Sequence, residues 1–507
     1  MLQRFSLLDL RIIGHYLGTL IVFSALLMAV PFVVAVIFQE WEPASRYLCS
    51  IGIALVIGMG LRFLRVGPAR LTRRQAFAVT GFAWIVLAFV CSVPLFFSGH
   101  YLNYMDALFD GVSGLTTTGA SVIMDLNHLS YADNTFRFMM HLLGGLGLIV
   151  VALSIGIFGK RTGSTLYTSE GRSEHVVPNV VQTTQFIARI TAVVIAIATV
   201  LLAILCLIAG MEPARALLQA FWLAVSSFVT GGFTPMSASI SYYHSVFVEF
   251  LLMVLMILGS VSFVIHAEVW KGRVGMFFRD LETKTMVLWV AGLVAVFAAA
   301  SAGGALFADL PALLRRGVFM VISAFTTTGF QVVTTNQLTT VLTSGAFLTL
   351  ALAMAIGGGA GSTAGGIKLY RIGIIFKSVV QTVKEALAPD SARVVVDYNH
   401  VGRRILTPEV VKSAMTVTLL YVATYVVGVL VGIAHGYDAN AAIFESVAMT
   451  SNGGIVTGLV TPGMSWSLEG FYIFQMWAGR LEFVAFLALV VEVVASVLPR
   501  RAGRRAR

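Results

Sequence analysis

The sequence predicts an all-α polytopic membrane protein with about ten transmembrane helices. Three observations carry that reading. Hydrophobic residues fill 58% of the 507 positions and charged residues 11%, with a mean hydropathy of +0.89. An average soluble chain is about 25% charged, and so few charges could not solvate the surface of a protein this long. Apolar runs of about 20 residues, the length a helix needs to cross hydrocarbon, recur along the chain. The positive charges, finally, sort by side of the membrane.

The runs fall near 12–38, 47–64, 76–97, 135–158, 186–209, 245–270, 285–307, 342–380, 409–434 and 470–497. The first exceeds the core of a signal peptide and reads as a span. The eighth is too long for one straight helix. With the N-terminus in the cytoplasm, alternation puts 28 of the 34 lysines and arginines inside. Five lie outside (Arg46, Arg137, Arg215, Arg315, Arg316), and Arg480 falls within the last run. This is the positive-inside pattern. It places both termini in the cytoplasm and accounts for the net charge of +10 without a nucleic-acid partner. Cys49, Cys91 and Cys206 sit in apolar stretches without paired spacing and read as buried hydrophobes.

The gaps after runs three, five, seven and nine are too apolar for exposed loops and too short for full spans. They read as re-entrant segments, which persist in a membrane only when buried in protein or lining water. Each carries one short motif: Thr116-Thr117-Thr118-Gly119, Val229-Thr230-Gly231-Gly232, Thr326-Thr327-Thr328-Gly329 and Ser451-Asn452-Gly453-Gly454. Anchored on the last glycine, an aromatic stands ten residues earlier (Phe109, Trp222, Phe319, Phe444) and a small residue six earlier (Ser113, Ser226, Ser323, Ala448). A glycine follows 25 to 28 residues later (Gly144, Gly259, Gly357 and, in the last unit, Gly479). The chain therefore divides into two extra N-terminal helices (1–75) and four pseudo-repeats of span, short helix, turn and span: 76–185, 186–284, 285–408 and 409–507, the last with a basic tail.

A short helix that stops midway aims its partial negative end at the membrane centre. A Thr/Gly turn then lets backbone carbonyls face a common axis. Four such turns can replace the hydration shell of a monovalent cation. Ordinary small-residue packing between helices does not explain four motifs in register with aromatic and small partners.

Two features suggest a gate. Gly357, Gly358, Gly359, Gly361, Gly365 and Gly366, with Ser362 and Thr363 among them and Lys368 just beyond, interrupt the eighth run. Each glycine costs about 1 kcal/mol relative to alanine in a helix, so the stretch should be non-helical and lie across the pathway; a glycine packing face is the alternative. Arg480 sits mid-span, where an arginine costs about 2.5 to 3.5 kcal/mol and needs a partner or water. It either faces the pathway or pairs structurally with Glu482 or Glu492.

The TTTGA and TTTGF turns, the GGGAGSTAGGIK stretch at 357–368 and the GRLEF stretch at 479–483 resemble the Trk/Ktr/HKT superfamily of cation transporters. The two extra N-terminal spans make the chain most similar to its TrkH/TrkG branch, over nearly its whole length. The resemblance implies K⁺ uptake across a bacterial inner membrane, a homodimer in the lipid bilayer, and a cytosolic TrkA-like NAD/ATP-binding regulatory subunit. It places Arg480 beneath the filter and implies no cofactor in this chain. A K⁺/Na⁺ or K⁺/H⁺ coupled secondary symporter is the competing function. A membrane enzyme would need clustered His, Asp and Glu at the membrane face, and the nine scattered histidines show no metal-ligand spacing on one helix.

Overall fold

The computed structural model describes residues 5–64, 71–154, 180–302, 306, 309–389 and 391–497. Arg65, Arg70, residues 155–179 and the basic C-terminal tail lie outside them. Two long helices, Leu7–Ile37 and Trp41–Arg62, open the chain, and four like units follow. Each unit has a leading helix: Arg73–Phe96, Val180–Ile208, Leu281–Ser301 and Pro408–Ala434. Among the described residues, these four and the two opening helices are the six that are individually long and apolar enough to cross a membrane.

A short helix follows in each unit: Tyr104–Leu115, Pro213–Phe228, Val318–Phe325 and Ala439–Ser451. Local chemistry starts them. Asn103 accepts from the Asp106 N–H and Asp438 from the Asn440 N–H, while Pro213 holds the first helical position, where its missing donor costs nothing. In Tyr104–Leu115 every residue from Asp106 to Leu115 is buried. A helix enclosed on all sides by protein is not an exposed loop, which is what the apolar gaps require.

The trailing helices depart from the sequence reading. Runs 135–158, 245–270 and 470–497 read as continuous spans, yet each is broken. Tyr131–Leu146 stops at Gly147 (φ 90°) before Leu148–Ser154. Val246–Ser260 and Phe263–Trp270 meet at a bend of 102°. Trp466–Arg480 gives way to Glu482 (φ 50°) and Phe483 (φ 62°) before Val484–Val497. In the third unit, where a break was expected, Ser344–Ala355 and Leu369–Leu387 flank a non-helical stretch. Apolar composition cannot distinguish a straight span from a broken one. The breaks follow from what each helix packs against. A smaller departure is Cys49, which is exposed on the outer helix surface rather than buried.

The repeated glycines explain the packing. A Cβ on Gly144 would strike the Leu115 carbonyl, on Gly259 the Phe228 carbonyl, on Gly357 the Phe325 carbonyl, and on Gly479 the Thr450 carbonyl. Each carbonyl belongs to the residue four before the last glycine of its turn. The trailing helix thus closes directly on the end of its own short helix in all four units. Gly259→Ala should destabilise the protein by about 1–3 kcal/mol through overpacking, read as a lower detergent melting temperature. Gly52→Ala, with nothing within 4 Å of the new methyl, should leave it unchanged or slightly raised.

Candidate functional site

All four turns share one backbone. The residue two before the last glycine is left-handed in each: Thr117 (φ 56°), Thr230 (φ 50°), Thr327 (φ 52°) and Asn452 (φ 55°). The last glycines also have positive φ: Gly119 (82°), Gly232 (86°), Gly329 (95°) and Gly454 (62°). The carbonyl of the small residue six before the last glycine anchors each turn. Ser113 O accepts from Thr118 N at 2.9 Å, Ser226 O from Gly231 N at 2.7 Å, Ser323 O from Thr328 N at 3.0 Å and Ala448 O from Gly453 N at 2.8 Å. In three units the serine hydroxyl also donates to the far side of the turn, to Ala120 O (2.6 Å), Phe233 O (2.8 Å) and Phe330 O (2.7 Å). Alanine in the fourth cannot.

The turns close on one another in chain order. A Cβ on Gly119 would meet Gly231 O, on Gly232 Thr328 O, on Gly329 Gly453 O, and on Gly454 Thr118 O, each closer than 3.0 Å. The fourth contact returns to the first unit, so the four turns form a ring. Asn452 ties turn four to turn one, donating from Nδ2 to Thr118 Oγ1 at 2.9 Å and to Met476 O at 3.0 Å. His141 ties turn two to the first short helix. Its Nε2 accepts from Phe233 N at 3.1 Å, so Nδ1 carries the proton and donates to Gly114 O at 2.8 Å.

The glycine-rich stretch runs beneath this ring. Thr363 Oγ1 lies 3.1 Å from Thr230 Oγ1 and 2.9 Å from Gly259 O. Gly365 N donates to Thr327 Oγ1 at 2.7 Å, and a Cβ on Gly365 would strike Ser451 O. Gly358, Gly361 and Gly366 have positive φ, so the stretch is not the helical packing face that was the alternative reading. Ser362 donates to Gly359 O at 2.7 Å, and Lys368 bonds Ala364 O.

Arg480 completes the layer. It donates to Thr117 Oγ1 at 3.2 Å, to Thr363 O at 3.0 Å, and to the carbonyls of Gly144 and Gly145, which lie just before the break at Gly147. The carboxylates considered as its partners bond other arginines: Glu482 with Arg371, and Glu492 with Arg74 at 3.1 Å. The stretch and Arg480 together touch turns one, two and three, and Gly365 packs against the fourth. A cavity of about 50 Å³ lies among Trp84, Ser362, Lys368, Asn452, Arg480 and Glu482.

Sequence reasoning missed Trp84, whose ring lies 5.7 Å from the Arg480 guanidinium, and the support given by His141. It also missed that His400 lies with Asp280 and Glu282, a convergence that spacing along one helix cannot reveal.

Fold and ring define the class: a helical membrane protein in which four like turns close on one another. A family model described as the cation transport protein TrkH matches residues 45–496, and the chain belongs to that family. It is 29% identical over 487 residues to an uncharacterized cation transporter of Methanocaldococcus jannaschii, covering 95% of each chain. It is 31% identical over 396 residues to the Trk system potassium uptake protein TrkH of Halomonas elongata, covering 76% of this chain and 78% of that one. The Escherichia coli TrkH is 28% identical over 493 residues, covering 94% and 98%. The crystal structure of the potassium transporter TrkH from Vibrio parahaemolyticus shares the fold, with a TM-score of 0.81 at 24% identity over 95% of this chain and 98% of that one.

Ser323→Ala removes one hydroxyl bond across turn three and should cost about 1 kcal/mol, measured as a lowered melting temperature. The fourth unit, which already has alanine, predicts that the ring survives the change.

Proposed function

We propose that this chain carries potassium across a bacterial inner membrane through the ring formed by its four turns. The observation that carries the reading is the ring closure itself, in which each last glycine lies against a neighbour's carbonyl. Backbone oxygens held this closely can substitute for the water shell of a monovalent cation, and only glycine leaves room for it. The relatives named as Trk system potassium uptake proteins agree with that ion. Thr116 to Gly119, Val229 to Gly232, Thr326 to Gly329 and Ser451 to Gly454 are the ion-binding segments in this reading.

The glycine-rich stretch and Arg480 form the barrier beneath. The stretch occupies the space under the ring through Thr363 and Gly365, and the guanidinium adds a positive charge where a cation would pass at low dielectric. Both termini are cytoplasmic in this reading. The membrane unit is a homodimer, and a cytosolic nucleotide-binding subunit moves the lower half of the third unit's trailing helix, beyond Lys368.

In liposomes, Gly119→Ser or Gly329→Ser should reduce the K⁺/Na⁺ permeability ratio, because a side chain enters the space between neighbouring turns. An unchanged ratio in both well-folded variants would remove these glycines from ion selection. Arg480→Gln should raise passive ⁸⁶Rb⁺ flux about tenfold without changing ion preference, since loss of the charge lowers the barrier by a little over 1 kcal/mol. Flux equal to or below wild type, matched for protein amount, would leave Arg480 a structural tie.

A further inference from the structure

Beyond the ring and the stretch beneath it lies a second cluster with chemistry of its own. Asp280 caps the third unit's leading helix by accepting from Glu282 N at 2.9 Å. His400 follows the strand Asp397–Asn399, which pairs with Arg403–Ile405 in a short antiparallel hairpin. The chain folds so that His400 Nδ1 lies 3.2 Å from Asp280 Oδ2, and the ligand atoms of Asp280, Glu282 and His400 all lie within 4.8 Å of one another. The three residues are 1%, 3% and 0% exposed. Val401 N also donates to Asp280 Oδ2 at 3.1 Å. The Tyr370 ring sits 4.7 Å from the imidazole, and its hydroxyl meets that of Tyr398 at 2.9 Å.

Glu282 also faces the glycine-rich stretch. Its Oε1 accepts from Ala360 N at 2.6 Å, and a Cβ on Gly359 would lie 3.0 Å from its Oε2. One carboxylate therefore joins the hairpin cluster to the backbone beneath the ring. Among the described residues, Lys368 bonds Ala364 O and Arg371 bonds Glu482.

We propose that Asp280, Glu282 and His400 form a site for a first-row divalent metal ion such as Zn²⁺ or Mn²⁺, and that the bound ion fixes the glycine-rich stretch in place through Glu282. One imidazole and two carboxylates suit such ions better than Ca²⁺, which takes oxygen ligands. Tetrahedral zinc with ligands near 2.1 Å needs donor atoms about 3.4 Å apart, so small side-chain rotations complete the set. A carboxylate has two oxygens, so Glu282 can ligate with one while the other keeps the Ala360 N–H. Ion binding then joins three elements: the start of a leading helix, the hairpin and the stretch. The effect on transport rests on the reading of that stretch as a barrier; the site itself does not.

The test uses the full chain, purified in detergent, stripped with chelator, and loaded with Zn²⁺ or Mn²⁺. After desalting, elemental analysis should find about one ion per chain, with the melting temperature raised by about 5 °C. Asp280→Asn and His400→Ala should lose both effects. Co²⁺ loading should give the visible absorption of a ligand-bound ion in the wild type and not in His400→Ala. No retained ion in the wild type, or equal retention in His400→Ala, overturns the site whether or not the variants fold well. In liposomes, loading should lower ⁸⁶Rb⁺ flux several-fold in the wild type. A retained ion with unchanged flux overturns the fixing of the stretch. Absence of flux from every preparation instead defeats the transport reading, while the metal count still decides the site.

Discussion

The architecture depends on one close approach made four times: a helix-terminal carbonyl packed against a residue that has no Cβ. Leu115, Phe228, Phe325 and Thr450 present those carbonyls, and Gly144, Gly259, Gly357 and Gly479 receive them. Without this fit the trailing helices would stand off from the short helices, and the turns they hold would not reach one another. The ring therefore rests on its scaffold's glycines as much as on its own. A second set of glycines, Gly119, Gly232, Gly329 and Gly454, fills the corners of the ring, where both space and positive φ exclude other residues.

The same approach breaks the trailing helices and so builds the layer below. Around the contact glycine each helix loses its regular course, and the freed backbone groups find partners from other units or, at Gly479, from the same unit's leading helix. Arg480 takes the carbonyls of Gly144 and Gly145. Tyr421 donates to Gly479 O at 2.9 Å, and Tyr425 to Ala355 O at 3.2 Å. Ser260 O and Gly259 O accept from Gly359 N and Thr363 N at 2.8 and 3.2 Å. Five guanidinium donors suit several converging carbonyls better than an ammonium would. In this arrangement one arginine and one irregular stretch satisfy groups exposed by breaks in the other units.

Buried ion pairs fix how the units sit. Arg46 and Tyr47 on the second opening helix both bond Asp133, at 2.8 Å each, which attaches the N-terminal pair to the first unit. Arg315, itself partly exposed, grips the buried Glu249 with two bonds of 2.7 Å between the third and second units. Arg137, fully buried, bonds Asp110 at 3.3 Å and lies 3.9 Å from the Phe233 ring. Removing one partner of such a pair leaves an uncompensated buried charge, so each pair specifies position more than it adds net stability.

Much of this was written in the chain. Composition and the side preference of lysine and arginine marked a membrane protein, and four turns with aromatic, small and glycine residues at fixed offsets marked four like units. Those offsets were readable because backbone contacts at fixed register admit few residue types, and a repeat displays the restriction four times. The breaks at Gly147, near Val261 and at Glu482 were not readable. A single glycine or serine in an apolar run is compatible with a straight helix, and only packing against a carbonyl from another element decides otherwise. The partners of Arg480 were open for the same reason: Glu482 is near in sequence, yet its carboxylate meets Arg371. The meeting of His400 with Asp280 and Glu282 spans about 120 residues of chain. Sequence determined the repeated local geometry; tertiary structure alone decided which distant groups converge, because convergence depends on how whole helices dock and leaves no periodic trace along the chain.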